Sequence, residues 1–437
     1  MGGNIPRNAA EPWSDDRDGG ADRPKKVDVA TSEYPLGVDL TDPQTFADGI
    51  PHDVFARLRR EAPVAWHSEA TGKGFWSVTR HADVVDVNRE TESMSSARFG
   101  NMIFDNESAE DLGGSMLVSM DPPQHTRYRR LVNRGFTPRM ISRLEEFMEQ
   151  IAARTLDRVL PRGEADFVED VAAELPIQVI AHLMGVGEAE RSKVFELSNR
   201  LIGFDDPEYG SGRGSAEEAG FEMYTIANKI GKEKREAIDA GRRADDIVTA
   251  LLEAEVDGDR LSELEYDMFF LLLTVAGNET TRTAIAQGVL AFIEHPEQWE
   301  RLRDDRSLLP TAVDEILRYT TPIMHFRRTV MGEREVGGQP MQDGEKVIIW
   351  YASANYDEDE FADPLRFDVG RTPNQHVTFG GGGPHFCLGA NLARLELRVM
   401  FDALLDRMPL PELAAPPDRL HSNFNHGLKR MPVRWKV

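Results

Sequence analysis

The chain has 437 residues and a single cysteine, so no disulfide bond can form within it. It also lacks a long apolar segment, because the longest apolar run, Met268 to Gly277, is about half of the ~20 residues that a membrane-spanning helix needs. The opening residues contain no apolar signal segment, and Pro6 stands where an N-myristoylation pattern needs Ser or Thr. These absences predict a cytoplasmic protein without a membrane anchor.

Basic residues are scarce. The 51 Lys and Arg stand against 75 Asp and Glu, and the formal net charge is −24 at pH 7. Such a surface disfavours general attraction to nucleic acids, so we expect no nucleic acid partner. We find neither an internal repeat nor a Ser/Gly- or Pro-rich linker. We therefore expect one domain over residues 34–437, preceded by a disordered tail at 1–33, which has almost no apolar pattern.

Helical periodicity dominates the chain from about residue 126 to residue 300. Ser262 and Glu265 form a capping box at the start of the clearest helix, which the pattern continues to His295. Its roughly 33 residues would span ~50 Å, enough to cross a whole domain. Strand-like segments such as 346–351 are short. The pattern predicts a mainly α fold with a small β part.

The lone cysteine, Cys387, follows four glycines at 380–383, and a helical pattern begins directly after it at Leu388. Glycine lets backbone N–H groups approach an anion, and a helix N-terminus is electropositive, so both features favour a thiolate. A cysteine hydrolase could use His385 as its base, although papain-like and caspase-like surroundings are absent. A phosphate-binding loop would need Gly-Lys-Ser/Thr or a strand–Gly-x-Gly-x-x-Gly–helix unit, and both are missing here. Ligation of haem iron is the third possibility.

The same stretch resembles the haem-binding loop of the cytochrome P450 family, Phe-x-x-Gly-x-Arg/His-x-Cys-x-Gly. Gly383 lies four residues before Cys387, His385 two before it and Gly389 two after it. Phe379 lies eight residues before Cys387 instead of seven, so this loop carries an extra glycine. The resemblance implies that Cys387 is the proximal iron ligand of haem b. It also implies the family's single triangular domain with a long central oxygen-binding helix.

The long helix contains Ala276-Gly-Asn-Glu-Thr-Thr281, in which a mid-helix glycine costs ~1 kcal/mol and polar groups interrupt an apolar stretch. The segment is similar to the family's oxygen-activating motif. There, Ala276 and Gly277 would open a groove beside the iron, Thr280 would hydrogen-bond O2, the co-substrate, and Glu279 would relay protons. Reductive cleavage of the O–O bond consumes two protons, so a positioned donor chain is a chemical requirement.

Haem binding needs further side chains, because two propionates must be buried against cations or histidines. His125 and Arg129 are four residues apart and share one helix face. Both match propionate-binding positions of the family, and the resemblance adds Arg328 and His385.

Arginines close to this pair in the sequence have two possible roles. Arg127, Arg130 and Arg134 could form an ordinary solvated face or a docking surface for an acidic ferredoxin. The residues leave both possibilities open.

Glu315 and Arg318 form a Glu-x-x-Arg pair, which alone is common on solvated helices. It resembles the family's structural Glu-x-x-Arg, whose third member would be Arg371. The resemblance assigns these three residues to the scaffold and not to the chemistry.

Four strings, at 201–209, 276–282, 380–394 and 426–429, are similar to the actinobacterial group that hydroxylates terminal methyl groups of sterol side chains and methyl-branched lipids. Bacterial terpene-alcohol hydroxylases share some of them. Apolar residues at the matching positions are equally typical of an ordinary core. The predicted substrate pocket consists of Phe99, Met102, Ile103, Phe104, Leu201, Ile202, Phe204, Val275, Ala276, Ile323, Met324 and Phe424.

The resemblance therefore implies an O2-dependent monooxygenase that hydroxylates an unactivated C–H bond of a sterol side chain, a methyl-branched lipid or a terpenoid. The chain has no flavin- or iron–sulfur-binding segment, so electrons would come from a ferredoxin and an NAD(P)H-dependent ferredoxin reductase. A peroxygenase using hydrogen peroxide is an alternative, although the Glu279–Thr280 pair argues against it. Another substrate class, such as a polyketide, also stays open. A haem-thiolate gas sensor would need an output domain, which we do not find.

Overall fold

The computed structural model describes residues 34–105, 116–136, 141–142, 144–209, 213–244, 246–256 and 258–436. The predicted tail at 1–33 lies outside these ranges. Helices α1 to α13 span, in order, His52–Glu61, His81–Arg89, Gln124–Val132, Glu145–Val159, Glu174–Leu183, Glu188–Ile202, Arg213–Asp239, Ile247–Leu252, Glu263–Glu294, Pro296–Asp304, Leu309–Thr320, Tyr351–Ala354 and Ala390–Arg407. The mainly α prediction is confirmed.

The strands are short and belong to small sheets. Strands β1 to β14 span, in order, Val64–His67, Phe75–Val78, Met94–Ser95, Glu164–Asp166, Glu255–Val256, Asp259–Arg260, His325–Val330, Arg334–Val336, Gln339–Met341, Lys346–Trp350, Glu412–Leu413, Asp418–Arg419, Leu428–Arg430 and Pro432–Arg434.

The largest sheet has the strand order β1-β2-β10-β7-β3. In its centre, β10 runs parallel to β2 and antiparallel to β7, with Val347 opposite Trp76 on one side and Arg328 on the other. Tyr351 follows β10 directly as the first residue of α12. The sheet thereby holds Arg328 and Tyr351 close to one internal cavity, which both side chains line.

Helix α9 is the long helix expected from the sequence. The side chain of Ser262 accepts a hydrogen bond from the backbone N–H of Glu265 at 3.3 Å, and the Glu265 carboxylate accepts one from the N–H of Ser262 at 2.6 Å. The capping box is therefore confirmed, and the helix ends at Glu294. Close packing against α13 positions it, because a Cβ on Gly288 would lie 2.7 Å from the ring of Phe401.

Two boundaries differ from the sequence-based expectation. The helix expected to start at Leu388 begins at Ala390, because residues 387–389 form a turn in which the N–H of Ala390 bonds to the carbonyl of Cys387 at 3.4 Å. The mixed composition of 91–118, with Gly, Asn and Asp, predicts an irregular segment, but the structure places the short strand β3 in it, which pairs with β7.

A buried ion cluster on α11 organises the segment that leads to Cys387. Both Glu315 and Arg318 have fully buried side chains and form two hydrogen bonds to each other, at 2.8 and 2.9 Å. Arg371 also donates to the Glu315 carboxylate, at 3.0 Å. The structure thus brings together the three residues assigned to the scaffold.

Backbone groups complete this cluster. Arg318 donates to the carbonyls of Asn355 and Pro364 at 2.8 and 2.9 Å, and the N–H of Asp368 donates to Glu315 at 3.0 Å. The side chain of Asn355 in turn accepts a hydrogen bond from the N–H of Val377 at 2.8 Å. Because every member is hydrogen-bonded, the buried charges are compensated, and the chain between 355 and 377 is fixed against α11.

We expect Arg318→Ala to lower the free energy of unfolding by about 3–5 kcal/mol, because it leaves the Glu315 charge buried without its main partner. Chemical unfolding and haem content after expression measure the effect. Arg366→Ala, at an exposed position of the same region, is the control and should change stability by less than about 0.5 kcal/mol. Normal stability and haem content in Arg318→Ala would contradict the scaffold assignment.

Candidate active site

An internal cavity of about 260 Å³ lies between α9 and α13. Side chains of α3, α5, α11, β7 and the loop at 378–389 also line it. Most of the lining is apolar, including Phe269, Leu272, Leu273, Leu317 and Leu392. A concave apolar space with a few convergent polar groups is the usual form of a small-molecule site.

Cys387 reaches this cavity through a loop that only glycine can form. Gly380 to Gly383 have φ values of +95°, +64°, +109° and +77°, all in the left-handed region. A Cβ on Gly383 would lie 2.6 Å from the carbonyl oxygen of Asn88, and one on Gly382 would lie 3.0 Å from the guanidinium of Arg89. The glycine-rich turn, with its extra residue, is therefore pressed against α2.

The thiol of Cys387 is accessible from the cavity but lies deep in the protein. Burial raises its pKa, whereas the N–H of Gly389 and the charges of Arg129 and Arg394 act to lower it. A coordinated metal cation deprotonates a thiol outright. The same sulfur therefore becomes a thiolate when it binds a metal from the cavity side.

The four side chains predicted to bind propionates all line this cavity. His125 and Arg129 come from α3, Arg328 from β7 and His385 from the cysteine loop. The rings of His125 and His385 lie 4.3 Å apart between centroids. Burial lowers the pKa of His125 to about 4 and that of His385 to about 2, so both are neutral donors at pH 7.

Their hydrogen-bonding capacity is largely unused. Within the described ranges, both ring nitrogens of His125 and Nε2 of His385 have no hydrogen-bond partner, and no carboxylate pairs with Arg129 or Arg328. Buried donors and cations without anions are costly unless an anionic group joins them. The propionates of a haem fit this set.

Iron held by a porphyrin also fits the lone sulfur. In the part of the chain that the structure describes, no three His, Cys, Asp or Glu side chains are grouped to hold a metal ion. A haem brings four nitrogen ligands of its own and requires only an axial ligand from the protein, which Cys387 can supply.

Sequence reasoning missed several polar residues of this site, among them Asn88 and Tyr351. Asn88 accepts hydrogen bonds from Arg328 at 3.0 Å and from the hydroxyl of Tyr351 at 3.3 Å, and Tyr351 lines the cavity. The sequence offered one signal for Tyr351, because this residue directly follows an apolar strand. Nothing in the sequence around Asn88 marks it, because its role depends on α2 packing against the sheet.

The oxygen-activation motif is only partly gathered at the cavity. Ala276, Gly277 and Thr280 line it, and the Thr280 hydroxyl donates to the carbonyl of Ala276 at 2.7 Å. A Cβ on Gly277 would lie 2.4 Å from Ile180, so this glycine also permits close packing of α5 against α9. Glycine here serves helix packing as well as space beside the cavity.

Glu279 is directed away from this space. Its side chain is 1% exposed and does not line the cavity. One carboxylate oxygen accepts a hydrogen bond from Asn278 at 3.2 Å, and the other pairs with Arg282. Arg282 is held by Asn199 of α6 at 3.0 Å. Burial raises the pKa of Glu279, and Arg282 opposes this effect. The structure therefore separates Glu279 from the Thr280 hydroxyl.

Comparison with known proteins agrees with this geometry. The model of the family described as Cytochrome P450 matches residues 177–437. A steroid C26-monooxygenase of Mycobacterium tuberculosis is 41% identical over 422 residues, which cover 94% of this chain and 95% of the relative. The chain belongs to the cytochrome P450 family. It is therefore a haem-thiolate monooxygenase, with haem iron as cofactor and O2 as co-substrate.

Another relative and a solved structure are also similar to this chain over most of their length. A methyl-branched lipid omega-hydroxylase of Mycobacterium bovis is 41% identical over 400 residues, covering 89% of this chain and 92% of the relative. Among solved structures, the Mycobacterium marinum cytochrome P450 CYP268A2 in complex with pseudoionone has a TM-score of 0.84 and 40% identity, covering 91% of this chain and 98% of the other. Within the described residues of this P450, no helix is long and apolar enough to cross a membrane.

The predicted substrate pocket only partly coincides with the cavity. Ala276 and Ile323 line it, and so does Phe326, which the sequence analysis did not include. The ring of Phe424 packs on Phe326, with centroids 5.6 Å apart. The predicted residues outside the cavity lining are Phe99, Met102, Ile103, Phe104, Leu201, Ile202, Phe204, Val275, Met324 and Phe424.

These outlying side chains pack elsewhere for identifiable reasons. Met324 and Ile103 belong to a separate core cluster with Trp350. Phe104 and Phe204 make an edge-to-face contact, with ring centroids 5.5 Å apart. Their placement in a substrate pocket stays a prediction of the P450 resemblance.

Two of the segments that resemble the actinobacterial hydroxylase group, 201–209 and 426–429, contact each other in the structure. Asp206 is fully buried in the turn after α6, accepts a hydrogen bond from the N–H of His421 at 2.9 Å and pairs with Lys429 of β13 at 3.2 Å. Glu208 also pairs with Lys429, at 3.1 Å, and with Arg430. These ion pairs fasten the turn between α6 and α7 to the C-terminal hairpin of the P450.

We expect Lys429→Met to lower the free energy of unfolding by about 2–3 kcal/mol, because it leaves the buried Asp206 carboxylate without its cation. Arg430→Met is the matched control on the same strand. Its side chain is 43% exposed, so its loss should cost at most about 1 kcal/mol. Equal effects of the two substitutions in chemical unfolding would show that Asp206 does not depend on Lys429.

Proposed function

We propose that this P450 hydroxylates an unactivated C–H bond of a hydrophobic substrate, namely a sterol side chain, a methyl-branched lipid or a terpenoid. The apolar cavity beside Cys387 carries the proposal, because Phe269, Leu272, Leu273 and Phe326 exclude strongly polar molecules from the space above the sulfur. The relatives named as a steroid C26-monooxygenase and a methyl-branched lipid omega-hydroxylase support these substrate classes.

The protein side of the chemistry begins with binding and orientation. A bound haem would supply the iron at which O2 is reduced and activated. Cys387 would donate its thiolate to that iron, which favours O–O cleavage. Arg129 and Arg328 would bind the propionates as cations, and His125 would add a neutral N–H donor. The apolar wall would orient the substrate and exclude water, so that few protons reach the site by chance.

Side chains of α9 would then deliver the protons. The hydroxyl of Thr280 lines the cavity and would turn from the Ala276 carbonyl to donate to O2. Glu279 would supply protons from behind this hydroxyl after its carboxylate leaves Arg282. The separation of Glu279 from Thr280 makes this movement a requirement of the proposal.

Electrons would come from a ferredoxin and an NAD(P)H-dependent ferredoxin reductase, in the cytoplasm. Arg127 contributes little to a docking surface, because it pairs with Asp259 at 2.7 Å and with Glu265 at 3.1 Å. A charge already neutralised by two carboxylates attracts an acidic partner weakly.

We expect Thr280→Ala to keep haem and substrate binding but to reduce the product formed per electron pair at least about tenfold, with hydrogen peroxide released instead. The loss of the hydroxyl leaves O2 without its donor on α9. Measurement of NAD(P)H, product and peroxide in one reconstituted assay tests this expectation. Thr280→Ser, which retains the hydroxyl, is the control. Unchanged coupling in Thr280→Ala would count against the proton role and would favour peroxide-driven chemistry.

A titration of the ferric haem spin state tests the substrate class. We expect cholesterol and a methyl-branched fatty acid to shift the spin state at lower concentration than a straight-chain fatty acid of equal length, since the branched ends fill the apolar space more completely. A polyketide and a terpenoid complete the panel. A response to the polyketide alone would contradict the proposed substrate class without affecting the family assignment.

A further inference from the structure

Arg394 of α13 lies against Phe379, the aromatic residue at the start of the cysteine loop. Its guanidinium carbon is 4.6 Å from the centroid of the Phe379 ring, which makes a cation–π contact. Phe379 lines the cavity, whereas Arg394 lines a separate groove that Gly381 and Phe386 also border. The Phe379 ring thus borders the cavity and also contacts a positive charge that does not.

The charge of Arg394 also acts on the Cys387 sulfur. The N–H of Cys387 donates to the carbonyl oxygen of Phe379 at 3.0 Å, so the contacted residue and the sulfur belong to one turn. Burial raises the pKa of Cys387, and the charge of Arg394 is among the groups that act to lower it. Opposite charges in a partly buried region attract one another over several ångströms, because water screens them incompletely. Arg394 therefore stabilises negative charge on the sulfur.

Asp314 of α11 partly compensates this charge. Its Oδ1 accepts a hydrogen bond from Nε of Arg394 at 2.8 Å and lies 3.4 Å from Nε2 of His376. Burial acts to raise the pKa of Asp314, but the hydrogen bonds of His376 and Arg394 outweigh it and hold the pKa below its usual value, so the group is a carboxylate at pH 7. Burial lowers the pKa of His376, so this ring is neutral. One cation and one anion therefore lie close to the cysteine loop.

Stability alone does not require a pair in this place. The side chains of Arg394 and Asp314 are 36% and 33% exposed, and such a pair contributes at most about 1 kcal/mol. Arg398, about one turn further along α13, is similar in kind, since it is 40% exposed and pairs with Glu145 at 2.6 Å. Among the described arginines of α13, Arg394 is the one that stacks on a ring of the cysteine loop. Its position matters more than its pairing.

We propose that Arg394, with Asp314 as its counter-charge, sets the reduction potential of the haem iron through the Cys387 sulfur. The proposal rests on the haem-thiolate chemistry of the family and is independent of the substrate. A positive charge near the sulfur favours ferrous iron, which carries one positive charge less than ferric iron. Asp314 weakens this effect, so both residues act on the potential without contact with the substrate.

The step that this pair controls transfers one electron. The iron–sulfur centre of a ferredoxin loses the electron, and ferric iron becomes ferrous. A stronger positive field makes this transfer easier but draws electron density from the sulfur, which then favours O–O cleavage less. The opposed charges of Arg394 and Asp314 therefore balance how readily the iron is reduced against how strongly the sulfur donates.

Spectroelectrochemical titration of the substrate-free holoenzyme tests the proposal. At one applied potential, Arg394→Gln should lower the ratio of ferrous to ferric haem at least about threefold, because a partly screened positive charge is lost. Asp314→Asn removes the counter-charge at nearly equal volume and should raise the ratio. Arg398→Gln is the matched control and should leave it unchanged. Shifts of the same sign in the first two variants, or a ratio in Arg394→Gln equal to that of the control, would overturn the proposal.

A conservative variant separates charge from packing. Arg394→Lys keeps the charge but loses the planar stack on Phe379, so the ratio should return most of the way to that of the wild type. A ratio equal to that of Arg394→Gln would assign the effect to packing and contradict the proposal. Haem content checks that each variant is folded. If Arg394→Gln does not retain haem, the sign of the shift in Asp314→Asn decides alone.

The C–O stretching frequency of the ferrous carbonyl complex reports electron donation by the sulfur independently of the potential. We expect it to fall in Arg394→Gln, because the sulfur donates more strongly once the nearby cation is removed, and to rise in Asp314→Asn. Frequencies that stay at the wild-type value in both variants would show that the two charges do not act through Cys387.

Discussion

The position of the Cys387 sulfur at the wall of an internal cavity is the constraint on which the rest of this P450 depends. Burial favours the neutral thiol, so a thiolate is stable there only with a cation beside it. The glycine-rich turn at 380–383 presses against α2 and directs the sulfur inward. Among the described residues no carboxylate pairs with Arg129 and no group hydrogen-bonds the ring of His125, which makes the cavity suitable for an anionic, iron-bearing group.

A buried ion cluster some distance away holds that turn in place. Glu315 and Arg318 lie on α11, and their bonds to the segment between 355 and 377 fix the chain that leads into the cysteine loop. A buried ion pair contributes little net stability, but removal of one member is costly. Such a cluster is therefore suited to specifying one arrangement of the loop.

The polar groups around the cavity are distributed unevenly. Thr280 faces the cavity, whereas Glu279 lies behind it and is held by Arg282, which α6 contacts through Asn199. Glu396 lines the cavity from α13. Much of the remaining surface is apolar, so each proton that enters has few routes available. This arrangement suits a reaction in which the number and timing of protons decide between product and peroxide.

Local patterns by themselves predicted the long capped helix, and the resemblance that they carry identified the family and implied Cys387 as the iron ligand and the oxygen-activation motif. These patterns are periodicity, a capping box and a run of glycines before Cys387. Each extends over a few residues, so it can be recognised in the sequence without knowledge of the fold. Only the tertiary structure decided that Glu279 is turned away from Thr280, that Asn88 and Glu396 belong to the site, and that Phe424 and nine other predicted pocket residues lie outside the cavity lining. These facts depend on contacts between segments far apart in the chain, which side-chain packing alone resolves.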